Sequence, residues 1–284
     1  MKTKAFIPVL LLAAIAVSSC GTSYKVVETR ITALNHYVDQ EHPGNADVFS
    51  IANCPTLKDS PIKGKTIYWL GSSITYGLCA RSEATADFVA KHNGCTSVKE
   101  ATSGTSLAKQ APSEGMIDYI KGNLGIDPSV EDISYVTRVA YLPGKNPDLF
   151  VLQMSTNDSN LQDYHIGTIT DSFDMASFDI SSTAGAIEYI LAYVRDTWGC
   201  PVLLYTSPLL DTPNYLELVE ASKVIAQKWN VALLDLNGDE EFNAKGRENL
   251  PLYMWDDLHP TRAGYELWWL PKFEEKIYSI IGRK

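Results

Sequence analysis

From Lys65 onward the chain alternates short apolar runs with longer stretches whose apolar residues recur at helical spacing, and this alternation limits the fold more than any other feature. The runs at 66–70, 148–154, 201–206 and 231–236 predict buried strands, with 96–101 a weaker candidate. The stretches 74–91, 129–141, 182–198, 214–229 and 261–281 predict helices. A parallel strand needs a crossover that returns the chain to its starting edge, so repeated strand–helix–strand order predicts a parallel sheet covered on both faces. The expected fold is a three-layer α/β/α sandwich with a mostly parallel, flavodoxin-like central sheet.

At 284 residues and 45% hydrophobic, the chain can bury one large core, expected over 65–284. Residues 21–64 show no sustained period and contain Pro43-Gly44-Asn45, Pro55 and Pro61, which reads as a linker and irregular lead-in whose strands, if any, are short. The first 20 residues belong to neither part. Lys2 and Lys4 precede an apolar run from Phe6 to Val17 that is too short to span a membrane comfortably and ends in Val17-Ser18-Ser19-Cys20-Gly21. Small residues before a cysteine resemble the lipobox of bacterial lipoproteins. Residues 1–20 are therefore read as a lipoprotein signal peptide, with Cys20 as a lipid anchor and the folded domain exported to the cell envelope, on the periplasmic or cell-surface side.

Lysine and arginine total 24 against 34 aspartates and glutamates, a formal charge of −10, and the acidic excess grows once Lys2 and Lys4 leave with the leader. Without a basic stripe, nucleic acid is not an expected partner. Cys54, Cys79, Cys95 and Cys200 show no CxxC and no clustered cysteine–histidine spacing, so buried thiols or a disulfide are expected rather than a metal centre or a cofactor. An export compartment permits any of the three pairings of these four, a Cys79–Cys95 bridge among them.

In an open parallel sheet, functional residues gather beyond the carboxyl ends of the strands. Four polar segments fall there. Gly71-Ser72-Ser73-Ile74-Thr75-Tyr76-Gly77 follows the first run, where a tight turn into a helix exposes a hydroxyl beside unpaired N–H groups. A serine in such a place is also a common helix cap, and Ser72 could cap while Ser73 attacks. Ser103-Gly104-Thr105 follows the 96–101 run, and a glycine lets its N–H approach a reacting group closely. Ser155-Thr156-Asn157-Asp158 follows the next, where an Asx turn is the plainer reading of Asn157.

The fourth segment is Asp256-Asp257-Leu258-His259-Pro260, ahead of the last helix. An aspartate three residues before a histidine can hold one imidazole nitrogen and fix the tautomer, leaving the other nitrogen to take a proton from a serine. Asp257 would point elsewhere. His36, His42, His92 and His165 carry no comparable pattern. The N–H groups of Ser73 and Gly104 and the amide of Asn157 could form one oxyanion hole.

Taken in order, these segments resemble the four motif blocks of the SGNH or GDSL-type hydrolases, across nearly all of the chain after Lys65. The resemblance implies a serine hydrolase in which Ser73 is the nucleophile, His259 the general base, Asp256 its orienting acid, and Gly104 with Asn157 oxyanion donors. Two positions depart from the pattern: Ser72 stands where an aspartate is usual, and Ser155 replaces the glycine that usually opens the third block. Neither removes a catalytic group, though the second puts the packing of that loop in question.

The resemblance implies ester substrates broadly. Export and the aromatics Trp69, Tyr76, Tyr164, Trp255 and Tyr265, in or near the expected site loops, favour O-acetyl groups on a carbohydrate, although core packing is the plainer reading for Trp69 and Tyr265. A lysophospholipase or general carboxylesterase is the alternative within the class. A catalytically silent glycan-binding lipoprotein is the alternative outside it. A phosphate-binding module is disfavoured, since no lysine follows Gly77 and no GxGxxG occurs. The polar, glycine-punctuated stretch 158–177 reads as a substrate-covering loop or a surface insertion.

Overall fold

The computed structural model describes residues 13–15, 24–112 and 114–282. Cys20 and the rest of the lipobox lie outside the described residues, but Ala13–Ile15, within the stretch expected as a signal peptide, is placed as a short strand at the sheet's edge, a pairing that removal of residues 1–20 would abolish. The sheet contains β1 (Ala13–Ile15), β2 (Lys25–Glu28), β3 (Thr66–Gly71), β4 (Thr96–Ala101), β5 (Leu149–Gln153), β6 (Val202–Tyr205) and β7 (Ala232–Leu234), in the order β1-β2-β4-β3-β5-β6-β7. β1 pairs antiparallel with β2, and every other pairing is parallel. From β3 onward the order is that of a flavodoxin-like sheet, and the five runs read from the sequence are its five strands.

Helices are α1 (Arg30–Leu34), α2 (Ser73–Tyr76), α3 (Thr85–Asn93), α4 (Glu114–Leu124), α5 (Tyr135–Arg138), α6 (Thr183–Thr197), α7 (Pro213–Trp229), α8 (Glu240–Glu248), α9 (Leu250–Tyr253) and α10 (Leu270–Ile281). Strand alternation sends Tyr68, Leu70, Phe150, Leu152, Val202 and Leu204 to one face, against Val136 of α5, Ile187 and Leu191 of α6 and Leu218 of α7. Ile67, Trp69, Leu149, Val151, Leu203 and Tyr205 face the other way, against Phe88 of α3 and Phe273 and Ile277 of α10. Both faces are covered, so β3, β5 and β6 are apolar along most of their length. No helix among the described residues is long and apolar enough to cross a membrane.

Several expected boundaries shift for identifiable reasons. The helix expected over 74–91 is two helices: Gly77, at φ 88°, ends α2 after one turn, and Arg81 and Ser82 also have positive φ before α3 begins. The helix expected over 129–141 shrinks to α5 and one 3-10 turn, because Asp127 captures the N–H and hydroxyl of Ser129 and holds a turn there. Over 261–281, Gly264–Trp269 is π-helical before α10, with Pro271 unable to supply the N–H that a regular α-turn needs. The carbonyl of Leu267 is instead bonded by Lys245 Nζ at 3.1 Å.

Residues 24–64, expected as a linker and irregular lead-in, are docked on the domain. β2 extends the sheet beside β4, and Asn45 bonds the Cys79 carbonyl at 2.8 Å and the Arg262 N–H at 3.0 Å. A four-residue strand is too short for periodicity to reveal. Cys54, Cys79, Cys95 and Cys200 are free thiols, so the Cys79–Cys95 bridge is not formed.

Candidate active site

Because β3 lies between β4 and β5, the chain leaves the carboxyl ends of β3 and β5 in opposite directions, and the gap between them is where a parallel sheet holds its ligands. β3 ends at Gly71 and α2 begins at Ser73, which puts the Ser73 N–H in the first turn of a helix, without an intrahelical acceptor. Gln153, the last residue of β5, fixes this turn. Its Oε1 accepts from Ser72 N at 3.0 Å, Thr75 N at 3.3 Å and Thr75 Oγ1 at 2.7 Å, while its Nε2 donates to Ser72 Oγ at 3.2 Å. Ser72 is thereby occupied, and Ser73 is free to face His259.

Ser73 Oγ lies 2.9 Å from His259 Nε2. On the other side of the ring, Nδ1 is 2.9 Å and 3.1 Å from the two carboxylate oxygens of Asp256. Asp256 Oδ1 also accepts the N–H groups of Leu258 at 2.8 Å and His259 at 2.6 Å. Partial burial pushes the Asp256 carboxyl up, but its bonds to His259 and the backbone together outweigh that and hold it at about 2. A carboxylate that stays ionised fixes the Nδ1–H tautomer, so Nε2 can accept the serine proton. This pairing joins residues 186 positions apart in the chain.

Gly104 follows β4 at φ 79°, a backbone region that glycine enters freely, and a side chain there would meet Met116 Sδ at 2.0 Å. Asn157, after β5, donates from Nδ2 to the Thr105 carbonyl at 2.9 Å, leaving its second amide hydrogen available. Ser155 tightens that loop. Its Oγ donates to the Thr105 carbonyl at 3.1 Å and accepts the Asn157 N–H at 3.1 Å. Asp158 is fully buried, takes the N–H groups of Leu107 and Ala108 at 2.7 and 3.1 Å, and is pushed up to about 6 by burial. The loops after β4 and β5 are thus tied to each other.

Beneath them Arg138, wholly buried, donates to Glu100 at 2.8 Å, to the Gly71 carbonyl at 2.8 Å and to Thr105 Oγ1 at 2.7 Å. One guanidinium therefore holds the loops carrying Ser73 and Gly104. Gln153, Arg138 and Asn45 were not singled out in the sequence. A glutamine closing a wholly apolar run and a Lys99-Glu100 pair inside a strand were the available signals.

Of the expected aromatics, Trp69, Tyr76 and Tyr265 are buried, and the hydroxyls of the two tyrosines bond the carbonyls of Asn35 and Ile74. Tyr164 bonds the Asn214 carbonyl and Glu217 at α7. Trp255, half-buried beside Asp256, packs on the ring of His42 at 5.2 Å between centroids. His42 enters through the docked lead-in.

The model of the GDSL-like Lipase/Acylhydrolase family matches residues 69–267. No curated protein sequence matches the chain. One solved structure superposes with a TM-score of 0.58 at 18% identity, covering 78% of this chain and 99% of its own. A protein from Lactobacillus plantarum superposes at 0.55 and 18% identity, covering 77% and 96%. A family two carbohydrate esterase from Clostridium thermocellum, solved with cellohexaose, reaches 0.49 at 16% identity, covering 76% and 64%. The first two likenesses show the fold.

Proposed function

We propose, for a chain that belongs to the GDSL-like lipase/acylhydrolase family and is a serine hydrolase of ester bonds, that Ser73 is the nucleophile, His259 the general base and Asp256 the acid that orients it. The observation that carries this reading is the 2.9 Å contact of Ser73 Oγ with His259 Nε2, backed by Asp256 at Nδ1. Ser73 Oγ attacks the ester carbonyl as its proton passes to Nε2. The tetrahedral oxyanion is received by the Ser73 and Gly104 N–H groups and the free amide hydrogen of Asn157. The proton on Nε2 leaves with the alcohol, and water, activated by the same nitrogen, releases the acid from the acyl-serine.

The proposed substrate is an O-acetylated carbohydrate. Trp255 offers a half-exposed ring beside Asp256, suited to a sugar face. We also propose that the lipobox ending at Cys20 anchors the enzyme outside the cytoplasm, where glycans are its neighbours.

The test is hydrolysis of p-nitrophenyl esters of graded acyl length together with acetate release from acetylated polysaccharides, with Ser73→Ala as control. The expected result is a preference for acetyl, acetate released from polysaccharide, and loss of both with Ser73→Ala. A preference for long acyl chains would replace the carbohydrate substrate with a lipid. Equal rates for Ser73→Ala and the unmodified chain would overturn the catalytic reading.

A further inference from the structure

Cys79 stands two residues past the glycine that ends α2, and Leu78 N bonds the Ser73 carbonyl at 3.0 Å, so the chain turns back beneath the serine. Its own carbonyl is held by Asn45 Nδ2 at 2.8 Å. The side chain is 2% exposed, and among the described residues the thiol makes no hydrogen bond. The other two buried thiols do: Cys54 donates to the Pro55 carbonyl and Cys95 to the Val89 carbonyl. Cys79 Sγ faces the catalytic pair instead. It lies with one oxygen of Asp256 and one ring nitrogen of His259 in a group whose atoms are all within 4.8 Å of one another.

We propose that Cys79, Asp256 and His259 form a site for a thiophilic divalent cation such as zinc, whose binding switches the enzyme off; the inhibitory half of this inference rests on His259 being the general base. A thiolate, an imidazole and a carboxylate are the donor set that zinc prefers, and three protein ligands leave a fourth position for water. The open route in is past Asp256, whose side chain is 46% exposed. On binding, Cys79 loses its proton to the buffer and forms the metal–sulfur bond. Asp256 contributes an oxygen, so the two anionic ligands balance the charge of the ion, and no electron changes hands.

The ring nitrogen facing Asp256 is Nδ1. Once Nδ1 donates its lone pair to the metal, the proton of the neutral ring resides on Nε2, which can then no longer accept one from Ser73. Inhibition follows from the tautomer, without any need to block the cleft.

The experiment uses the full chain with Co2+ as a spectroscopic probe and Zn2+ as inhibitor. Co2+ is expected to give a thiolate charge-transfer band in the unmodified chain and in Ser73→Ala, and to lose it in Cys79→Ser. Zn2+ is expected to inhibit p-nitrophenyl acetate hydrolysis, with Cys79→Ser, normalised to its own uninhibited rate, needing at least about 10- to 100-fold more metal. The same band in Cys79→Ser, no band in the unmodified chain, or equal inhibition of both proteins overturns the proposal. A Cys79-dependent band in a chain that hydrolyses no ester leaves the site standing and sinks the function. Hydrolysis without such a band sinks the site alone.

Discussion

At Ser73 the hydroxyl has one catalytic partner, Nε2 of His259 at 2.9 Å, and that nitrogen accepts a proton only while the imidazole is neutral. A protonated ring offers no base. Asp256 is held at about 2 and so remains ionised from mildly acidic pH upward. The acid limb of kcat/KM is therefore expected to follow a single ionisation, with log kcat/KM falling one unit per pH unit; a slope of two, or a flat limb, would contradict the assignment. Asn157 is the second residue with a separable contribution. Asn157→Ala is expected to reduce kcat by about 10² to 10³, the usual cost of losing one oxyanion-hole donor. Circular dichroism should show an unchanged fold, because the Ser155 hydroxyl still bonds the Thr105 carbonyl.

Each of these residues is placed by an element end, and the ends are joined by buried polar groups. Arg138 of α5 reaches the last residue of β3, the end of β4 and the loop that follows it. Arg138→Met would leave Glu100 charged and buried without its partner, a loss expected to cost about 3–5 kcal/mol in urea denaturation. Arg138→Lys should not restore it, since an ammonium lacks the planar fork that serves Glu100, Gly71 and Thr105 together. β3, β5 and β6 were readable because they are buried on both faces and read as apolar runs, whereas β4, with Lys99 and Glu100 in its middle, gave a weaker signal. The site segments were readable because a parallel sheet gathers its strand ends. What stayed hidden depends on long-range contact. Nothing local to Gln153 announces that it will hold the turn after β3, and α4 and α8 carry polar surfaces that blur their helical spacing. The helix expected over 74–91 is broken at Gly77, whose left-handed backbone stops α2 after one turn, a stop that its place in the serine turn conceals.

Across the whole molecule, the lead-in decides how much of the chain is needed. Asn45 spans from the Cys79 carbonyl to Arg262, bracketing the segments that carry Ser73 and His259, and β2 covers the edge of β4. A protein beginning at Lys65 is expected to lose solubility or unfold at a clearly lower temperature, with the exposed strand edge promoting association. Retention of full stability and activity would restore the linker reading. The central claim is that one hydroxyl, chosen by its histidine among many serines, becomes acylated. Its most direct test is labelling of the native chain with an organofluorophosphonate, followed by peptide mass spectrometry. The account predicts a single adduct on Ser73, formed in step with loss of esterase activity and abolished in His259→Ala. An adduct on another residue, or full activity with Ser73 labelled, would contradict it.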